Sequence, residues 1–184
     1  NSRLGNRTVL DGTVAMLTDP FSGQHMGVTA ENVADKYGIS REQQDEFAAR
    51  SHQLAAAGWA DGMFDAEIVQ VPGNELARDE GIRADTSLEK LGGLKALFAA
   101  DGTVTAGNAS SINDGASAVL IGADGALDAE PLARITGRGV FGNDPDLFGV
   151  APVEAVHRAL ARAGRTLADV DVLDLPVCTI EDER

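Results

Sequence analysis

The stretch GTVTAGNASSINDGASAVLIG, residues 102–122, is the most informative part of the chain for its fold. Its first half is rich in Gly, Ala, Ser, Asn and Thr, and residues 116–121 form an apolar run. Small residues let a ligand approach the backbone closely, and Asn and Ser supply hydrogen bonds at little steric cost. We therefore predict a ligand-binding loop held in place by a buried strand over residues 116–121. The alternative, a plain turn before a core strand, stays open from spacing alone.

Four helices are predicted around this stretch from capping residues and apolar spacing. The first covers residues 29–37, with Thr29 as its N-cap and Gly38 at its end. The second begins after Ser40, which forms a capping box with Gln43, and ends near residue 62. Its predicted core face consists of Phe47, Ala48, Ser51, Leu54 and Ala55. The remaining two helices are predicted over residues 87–98 and 152–163.

Further strands are predicted where apolar runs follow turn residues. They cover residues 64–71, 134–141 and 170–175. Helices that lie between strands in this way indicate an α/β fold.

The composition excludes several functional classes. The chain has 184 residues with 15 basic and 29 acidic side chains, a formal net charge of -14, which argues against a nucleic-acid surface. No apolar run is long enough to span a bilayer and no signal peptide is evident, so we expect no membrane association and a cytoplasmic location. One cysteine and three histidines make a disulfide framework or a metal site unexpected.

Three segments together resemble the thiolase family (acetyl-CoA acetyltransferases). The first is GNAS followed by NDGASA within residues 107–118, which is similar to a thiolase signature. The second is HMGVTAENVADKYGISREQQDEFAARSHQLAAAGWADGMFDAEIV, residues 25–69, and the third and weaker one is GVFGNDPDLFGVAPVEAVHRAL, residues 139–160. All three occur in the family's order and at about its spacing.

The resemblance implies a partial thiolase-like fold with layers in the order α-β-α-β-α. Residues 1–23 would be a remnant of the N-terminal core half, and residues 24–98 an inserted loop (lid) domain that contacts coenzyme A. Residues 99–122 would return to the N-terminal half, and residues 130–184 would begin the C-terminal half with a divergent tail.

Thiolases carry out Claisen condensation or thiolysis with a nucleophilic cysteine, a histidine, a second cysteine and two oxyanion holes. No position of this sequence matches those cysteine and histidine motifs, and residues 176–179, where an Asn-Glu-Ala-Phe motif is expected, read PVCT. Cys178 is a poor nucleophile candidate, because the nearby acidic residues Asp174, Glu181 and Asp182 would raise a thiol pKa. We therefore assign no catalytic residue and expect no turnover from this chain alone.

What the resemblance does carry over is a surface for coenzyme A or an acyl-CoA substrate, with no covalently bound cofactor. The implied coenzyme A contacts are His25, Met26, Arg83, Lys90, Ala106, Ser110 and Ile112. The implied acyl pocket contains Met26 and Phe148, where Phe148 replaces a methionine that is common in the family. The alternatives are a packed loop for His25, a solvated basic face for Arg83 and Lys90, and ordinary core for Phe148.

Two functional hypotheses follow. The first is a segment of a thiolase-type acyltransferase that acts in fatty acid metabolism. The alternative is a non-catalytic module, derived from a thiolase, for coenzyme A binding or oligomerisation. In either case the expected partners are acyl-CoA thioesters together with a second copy of the chain or a complementing chain, because unpaired strands would leave apolar edges exposed.

Overall fold

A computed structural model describes residues 10–113 and 115–174 of the chain. Five α-helices are present in these ranges: α1 (Gly12–Met16), α2 (Met26–Tyr37), α3 (Arg41–Ala60), α4 (Leu88–Gly92) and α5 (Ala151–Ala163). Two 3₁₀ helices cover Pro145–Val150 and Leu167–Asp169. None of the helices in the described ranges has the length and apolar character needed to cross a bilayer.

Helix α2 begins earlier than the sequence predicted. Its N-cap is His25 rather than Thr29, because the His25 imidazole Nδ1 accepts a hydrogen bond from the Gly27 backbone N–H at 3.0 Å. Thr29 lies inside the helix, where its hydroxyl donates to the Met26 carbonyl at 2.8 Å. The predicted end is confirmed, since Gly38 adopts a left-handed conformation with φ of 67°.

Helix α3 starts as predicted, but it buries a different face. The capping box between Ser40 and Gln43 is present, and the helix runs to Ala60. Of the predicted core face, Ala48 is buried, whereas Phe47 is 44% and Leu54 60% exposed. Helix α4 packs on α3, and the buried positions of α3 are small residues and one carboxylate. These are Asp45, Ala48, Ala49 and Gly58.

The helix predicted over residues 87–98 is much shorter in the structure. It ends at Gly92, and among its leucines only Leu91 is buried. The pair of glycines at positions 92 and 93 is a physical reason for this early end, because glycine is about 1 kcal/mol less favourable than alanine inside a helix. The last predicted helix is confirmed: α5 covers Ala151–Ala163 and ends at Gly164, with φ of 66°.

The predicted strands are not formed in the described residues. Residues 64–71, 116–121, 134–141 and 170–174 carry turns or irregular backbone, and residue 175 lies outside the described ranges. Within residues 10–113 and 115–174, the only β-bridges are the isolated pairs Thr18–His25 and Ala96–Thr105. A strand requires a hydrogen-bonded neighbour, and the described residues supply none for these segments.

Residues 116–121 were also expected to be buried, and they are exposed instead. Val119 is 80% and Leu120 81% exposed, because no described element packs over them. The apolar core of the described chain is correspondingly small. It contains Val33, Ala34, Ala48, Ala49, Leu91 and Val104, contributed by α2, α3, α4 and the segment after α4.

The segment before α5 and α5 itself are joined to the rest of the chain through α2. Helix α2 packs against the 3₁₀ helix Pro145–Val150, and the Asn32 amide Nδ2 donates to the Asp146 carbonyl at 3.2 Å. Residues 134–141 lie along α5, where a side chain at Gly139 would collide with the Ala155 carbonyl. Glycine therefore permits this close backbone approach without a paired strand.

Candidate functional site

The start of α2 holds the first two residues predicted to contact a ligand. The His25 ring stacks on Phe98, with 4.9 Å between ring centroids and 17° between ring planes. Because Nδ1 accepts the Gly27 N–H, a neutral His25 carries its proton on Nε2. The ring of Phe98 also covers Gly27, where a Cβ atom would collide with it. His25 is therefore both a helix cap and part of a packed aromatic pair.

Met26 and Phe148, the two predicted acyl-pocket residues, line the same cleft. It has a volume of about 300 Å³ and is also lined by Phe21 and Pro145. Two polar residues, Asp19 and Asn143, complete its wall. The structure thus joins the start of α2 to the 3₁₀ helix before α5 around a mainly apolar space. Sequence reasoning missed Phe21, which is 84% exposed and lies in a stretch without a clear pattern.

The Gly/Ala/Asn/Ser stretch begins with a segment, residues 103–109, that we call the anchored loop. The Glu31 carboxylate on α2 accepts hydrogen bonds from the Thr103 N–H at 2.8 Å, the Val104 N–H at 2.9 Å and the Thr103 hydroxyl at 2.9 Å. The Gln44 amide on α3 donates to the same Thr103 hydroxyl at 2.8 Å. Two helices therefore fix the beginning of this loop.

The three predicted contacts in and after the anchored loop are open to solvent. Ala106, Ser110 and Ile112 are all exposed, and Ile112 reaches 73%. In contrast, Thr105 is fully buried, and its backbone N–H donates to the Asn108 side-chain oxygen at 2.7 Å. The loop thus has a buried, hydrogen-bonded side and an exposed side that carries Ala106, and the exposed Ser110 and Ile112 follow it.

Backbone contacts connect the anchored loop with the other predicted segments. The Leu97 N–H donates to the Val104 carbonyl at 3.0 Å, next to the bridge between Ala96 and Thr105. Residue 98, which follows directly, stacks on His25. Gly81, two residues before Arg83, lies near Ser111, since a Cβ atom built on it would be 4.0 Å from the Ser111 hydroxyl. The segments around residues 25 and 105 are thus linked by contacts, and the segment before Arg83 lies near Ser111.

Arg83 is exposed, and its backbone N–H donates to the His52 Nδ1 atom on α3 at 3.3 Å. His52 was missed by sequence reasoning, because its partner is 31 residues away and no local pattern marks it.

Lys90 is paired with an acidic side chain in the same segment. Its ammonium donates to the Asp85 carboxylate at 2.5 Å and to the Asp85 carbonyl at 2.8 Å. The hydrogen bond and charge of Lys90 lower the pKa of Asp85 below its usual value.

The structure does not bring all predicted residues into one cavity. The cleft of Met26 and Phe148 does not include Arg83, Lys90 or Ser110, and a second cleft lies beside residues 135–138 and Arg162. Cys178 lies outside the described residues. Within residues 10–113 and 115–174, no three His, Cys, Asp or Glu side chains come together as a metal site.

The family model described as "Thiolase, N-terminal domain" matches residues 1–124 of this chain. The chain therefore belongs to the thiolase family. It is 47% identical over 184 residues to a probable acetyl-CoA acyltransferase of Staphylococcus aureus (strain COL), and the match covers 94% of this chain and 47% of that protein. The chain thus spans about half the length of this relative.

The structure of this chain is also similar to solved structures of thiolases. The structure is similar to the Bacillus anthracis acetyl-CoA acetyltransferase with a TM-score of 0.80 and 42% identity, covering 93% of this chain and 46% of that one. It is also similar to human mitochondrial 3-ketoacyl-CoA thiolase in complex with CoA, with a TM-score of 0.82 and 41% identity over 94% of this chain and 46% of that one. The described backbone is consistent with part of a thiolase-like fold, even though its strand segments are unpaired.

Proposed function

We propose that this chain supplies the coenzyme A-binding and acyl-binding surface of a thiolase-type acyltransferase. The observation that supports this most directly is the cleft shared by Met26 and Phe148, which lie 122 positions apart in the sequence (148 − 26). Its mainly apolar wall suits an acyl chain or the pantetheine part of coenzyme A. The family membership and the CoA-bound human relative add independent support for this ligand class.

In this proposal each group has a physical task. The exposed Arg83 guanidinium would pair with the phosphates or stack on the adenine of coenzyme A, because guanidinium does both. Ala106 on the exposed side of the anchored loop, together with Ser110 and Ile112 after it, would lie along pantetheine. His25 would offer its Nε2–H as a hydrogen-bond donor, since Nδ1 is already used by the cap.

Binding is tested by calorimetric titration of the 184-residue chain with coenzyme A at low and high salt. We expect salt-sensitive binding that Arg83→Ala weakens by about fivefold, because an exposed charge contact contributes up to about 1 kcal/mol. The exposed Arg165 after α5 provides a matched control, and Arg165→Ala should leave the affinity unchanged. Equal weakening by both variants would mean that only the overall charge matters and would contradict the proposed site.

The acyl part of the proposal is tested by comparing coenzyme A with hexanoyl-CoA. If the cleft of Met26 and Phe148 holds the acyl group, hexanoyl-CoA binds more tightly than coenzyme A, since each buried methylene contributes up to about 0.8 kcal/mol. Phe148→Ala should reduce this preference while the affinity for coenzyme A itself is retained. An identical affinity for both ligands would exclude the cleft as an acyl site.

We further propose that these 184 residues alone do not catalyse thiolysis, because the only cysteine, Cys178, matches no thiolase motif. A chimera separates the acyltransferase from the non-catalytic alternative. Residues 10–174 of this chain would replace the matching part of the Staphylococcus aureus relative. Cleavage of acetoacetyl-CoA by the chimera would support the acyltransferase, whereas a folded chimera that binds coenzyme A without turnover would favour the binding module.

A further inference from the structure

A chain of polar contacts crosses the interior between the anchored loop, α3 and α4. The Asn108 amide Nδ2 donates to the Asp45 carboxylate and to the Thr103 carbonyl, both at 3.0 Å. The other Asp45 oxygen accepts from the Arg41 Nε atom at 2.7 Å. The Arg41 guanidinium then donates to the Leu91 carbonyl at 2.5 Å. One continuous series of hydrogen bonds thus runs from the loop to the end of α4.

The ion pair in this series is largely shielded from water. The Asp45 side chain is 5% and the Arg41 side chain 21% exposed. Burying an ion pair removes water from both charges, and their mutual attraction often only just offsets this loss of hydration. Such a pair is therefore weak evidence for added stability. The contacts do fix the position of the Asp45 side chain, since each of its carboxylate oxygens has its own donor.

This series of hydrogen bonds connects two parts of the proposed ligand surface, the anchored loop and α4. Asn108 lies in the anchored loop, whose exposed side carries Ala106 and is followed directly by Ser110. Leu91, at the other end of the series, follows Lys90 in α4. The series therefore sets how far the loop stands from α4, without any of its own members being exposed.

We infer that Asn108 is a positioning residue for coenzyme A, acting with Asp45 and Arg41. It holds the loop where the pantetheine part binds, at a fixed distance from α4 and from the nucleotide end. This inference rests on the proposed function, and Asn108 itself does not touch the ligand. Loss of its contact with Asp45 should therefore weaken binding of the pantetheine part more than binding of the nucleotide.

The test uses Asn108→Asp in the full 184-residue chain. The new carboxylate can still accept from the Thr105 N–H, but it faces the Asp45 carboxylate and repels it. We expect coenzyme A to bind about tenfold more weakly, within the range of coupling between contacting residues. Adenosine 3′,5′-bisphosphate, which lacks pantetheine, should bind within about twofold of the unaltered chain.

Two further variants make the result specific. The double variant Asp45→Asn with Asn108→Asp restores a donor–acceptor pair in the opposite sense and should recover part of the lost affinity for coenzyme A. Asn74→Asp adds the same charge in an exposed segment and should change neither affinity. Thermal melting of each variant by circular dichroism shows whether it is folded at the titration temperature.

The outcomes separate this inference from the proposed function. If the unaltered chain binds no coenzyme A, the proposed function fails and the inference fails with it. If the unaltered chain binds and Asn108→Asp binds equally well, the inference alone is overturned. Parallel weakening of both ligands by Asn108→Asp would assign Asn108 a purely structural role and would also overturn it.

Discussion

Glu31 is the position where a single substitution should reveal most about the anchored loop. Its carboxylate accepts from two backbone N–H groups, of Thr103 and Val104, and from the Thr103 hydroxyl. Val104 is 7% exposed, so water cannot readily replace the lost acceptor there. The residue before the loop, Gly102, is also close, because a Cβ atom on it would collide with the Glu31 carboxylate.

The magnitude follows from these contacts. Glu31→Ala leaves both N–H donors without their acceptor, and a buried unsatisfied donor costs about 1–3 kcal/mol. Because Thr103 is only half-buried, we expect a total loss of about 2–4 kcal/mol in the free energy of unfolding. Glu31→Gln keeps one acceptor oxygen but loses the charge, so its expected loss is smaller, about 1–2 kcal/mol.

Urea unfolding followed by circular dichroism at 222 nm measures this loss, since the described secondary structure is mainly helical. Glu46→Gln provides the matched control: it removes the same charge from an exposed position of α3 and should change the unfolding free energy by less than about 0.5 kcal/mol. A loss from Glu31→Ala no larger than that of the control would refute the reasoning.

Two further predictions concern a helix glycine and an acidic residue. Gly27→Ala should destabilise the chain by about 1–3 kcal/mol in urea unfolding, because the new Cβ collides with Phe98, whereas Gly92→Ala, with no atom nearby, should be neutral or stabilising. The side chain and backbone of Ser22 donate to Asp19 and lower its pKa, so its stabilising contribution is present above the ordinary aspartate pKa and is lost as the pH falls through the lowered value. Asp19→Asn should reduce the acid sensitivity of the melting temperature below about pH 4, and an unchanged acid profile would contradict this assignment.

Helix ends could be predicted from the sequence because their causes are local. Ser40 with Gln43 and the left-handed Gly38 and Gly164 act within one turn of the helix that they start or end. The N-cap of α2 was missed for a related reason. Thr29 is the better N-cap by residue type, but its hydroxyl is used by the Met26 carbonyl, and His25 takes the capping role.

The strand predictions were wrong in the described residues because a strand depends on a distant partner. The apolar character of residues 119–121 is real, but no described segment pairs with them or covers them. Distance in sequence also hid the groups that hold the anchored loop. Glu31 is 72 positions from Thr103, and Asp45 is 63 positions from Asn108, so no local pattern could link them. The cleft residues Met26 and Phe148 were anticipated only through the family resemblance.

The contact between Asn32 on α2 and Asp146 joins two parts of the chain that are far apart in sequence. Residues 122–130 are exposed throughout, so a peptide-bond break there would separate two fragments without cutting any helix. One fragment would keep α2 and the other would keep the 3₁₀ helix that docks on it. Each would also keep one wall of the cleft, Met26 on one side and Phe148 on the other. Reassembly of the two fragments would therefore rebuild the cleft itself, which makes the chain a ready subject for two-fragment reconstitution.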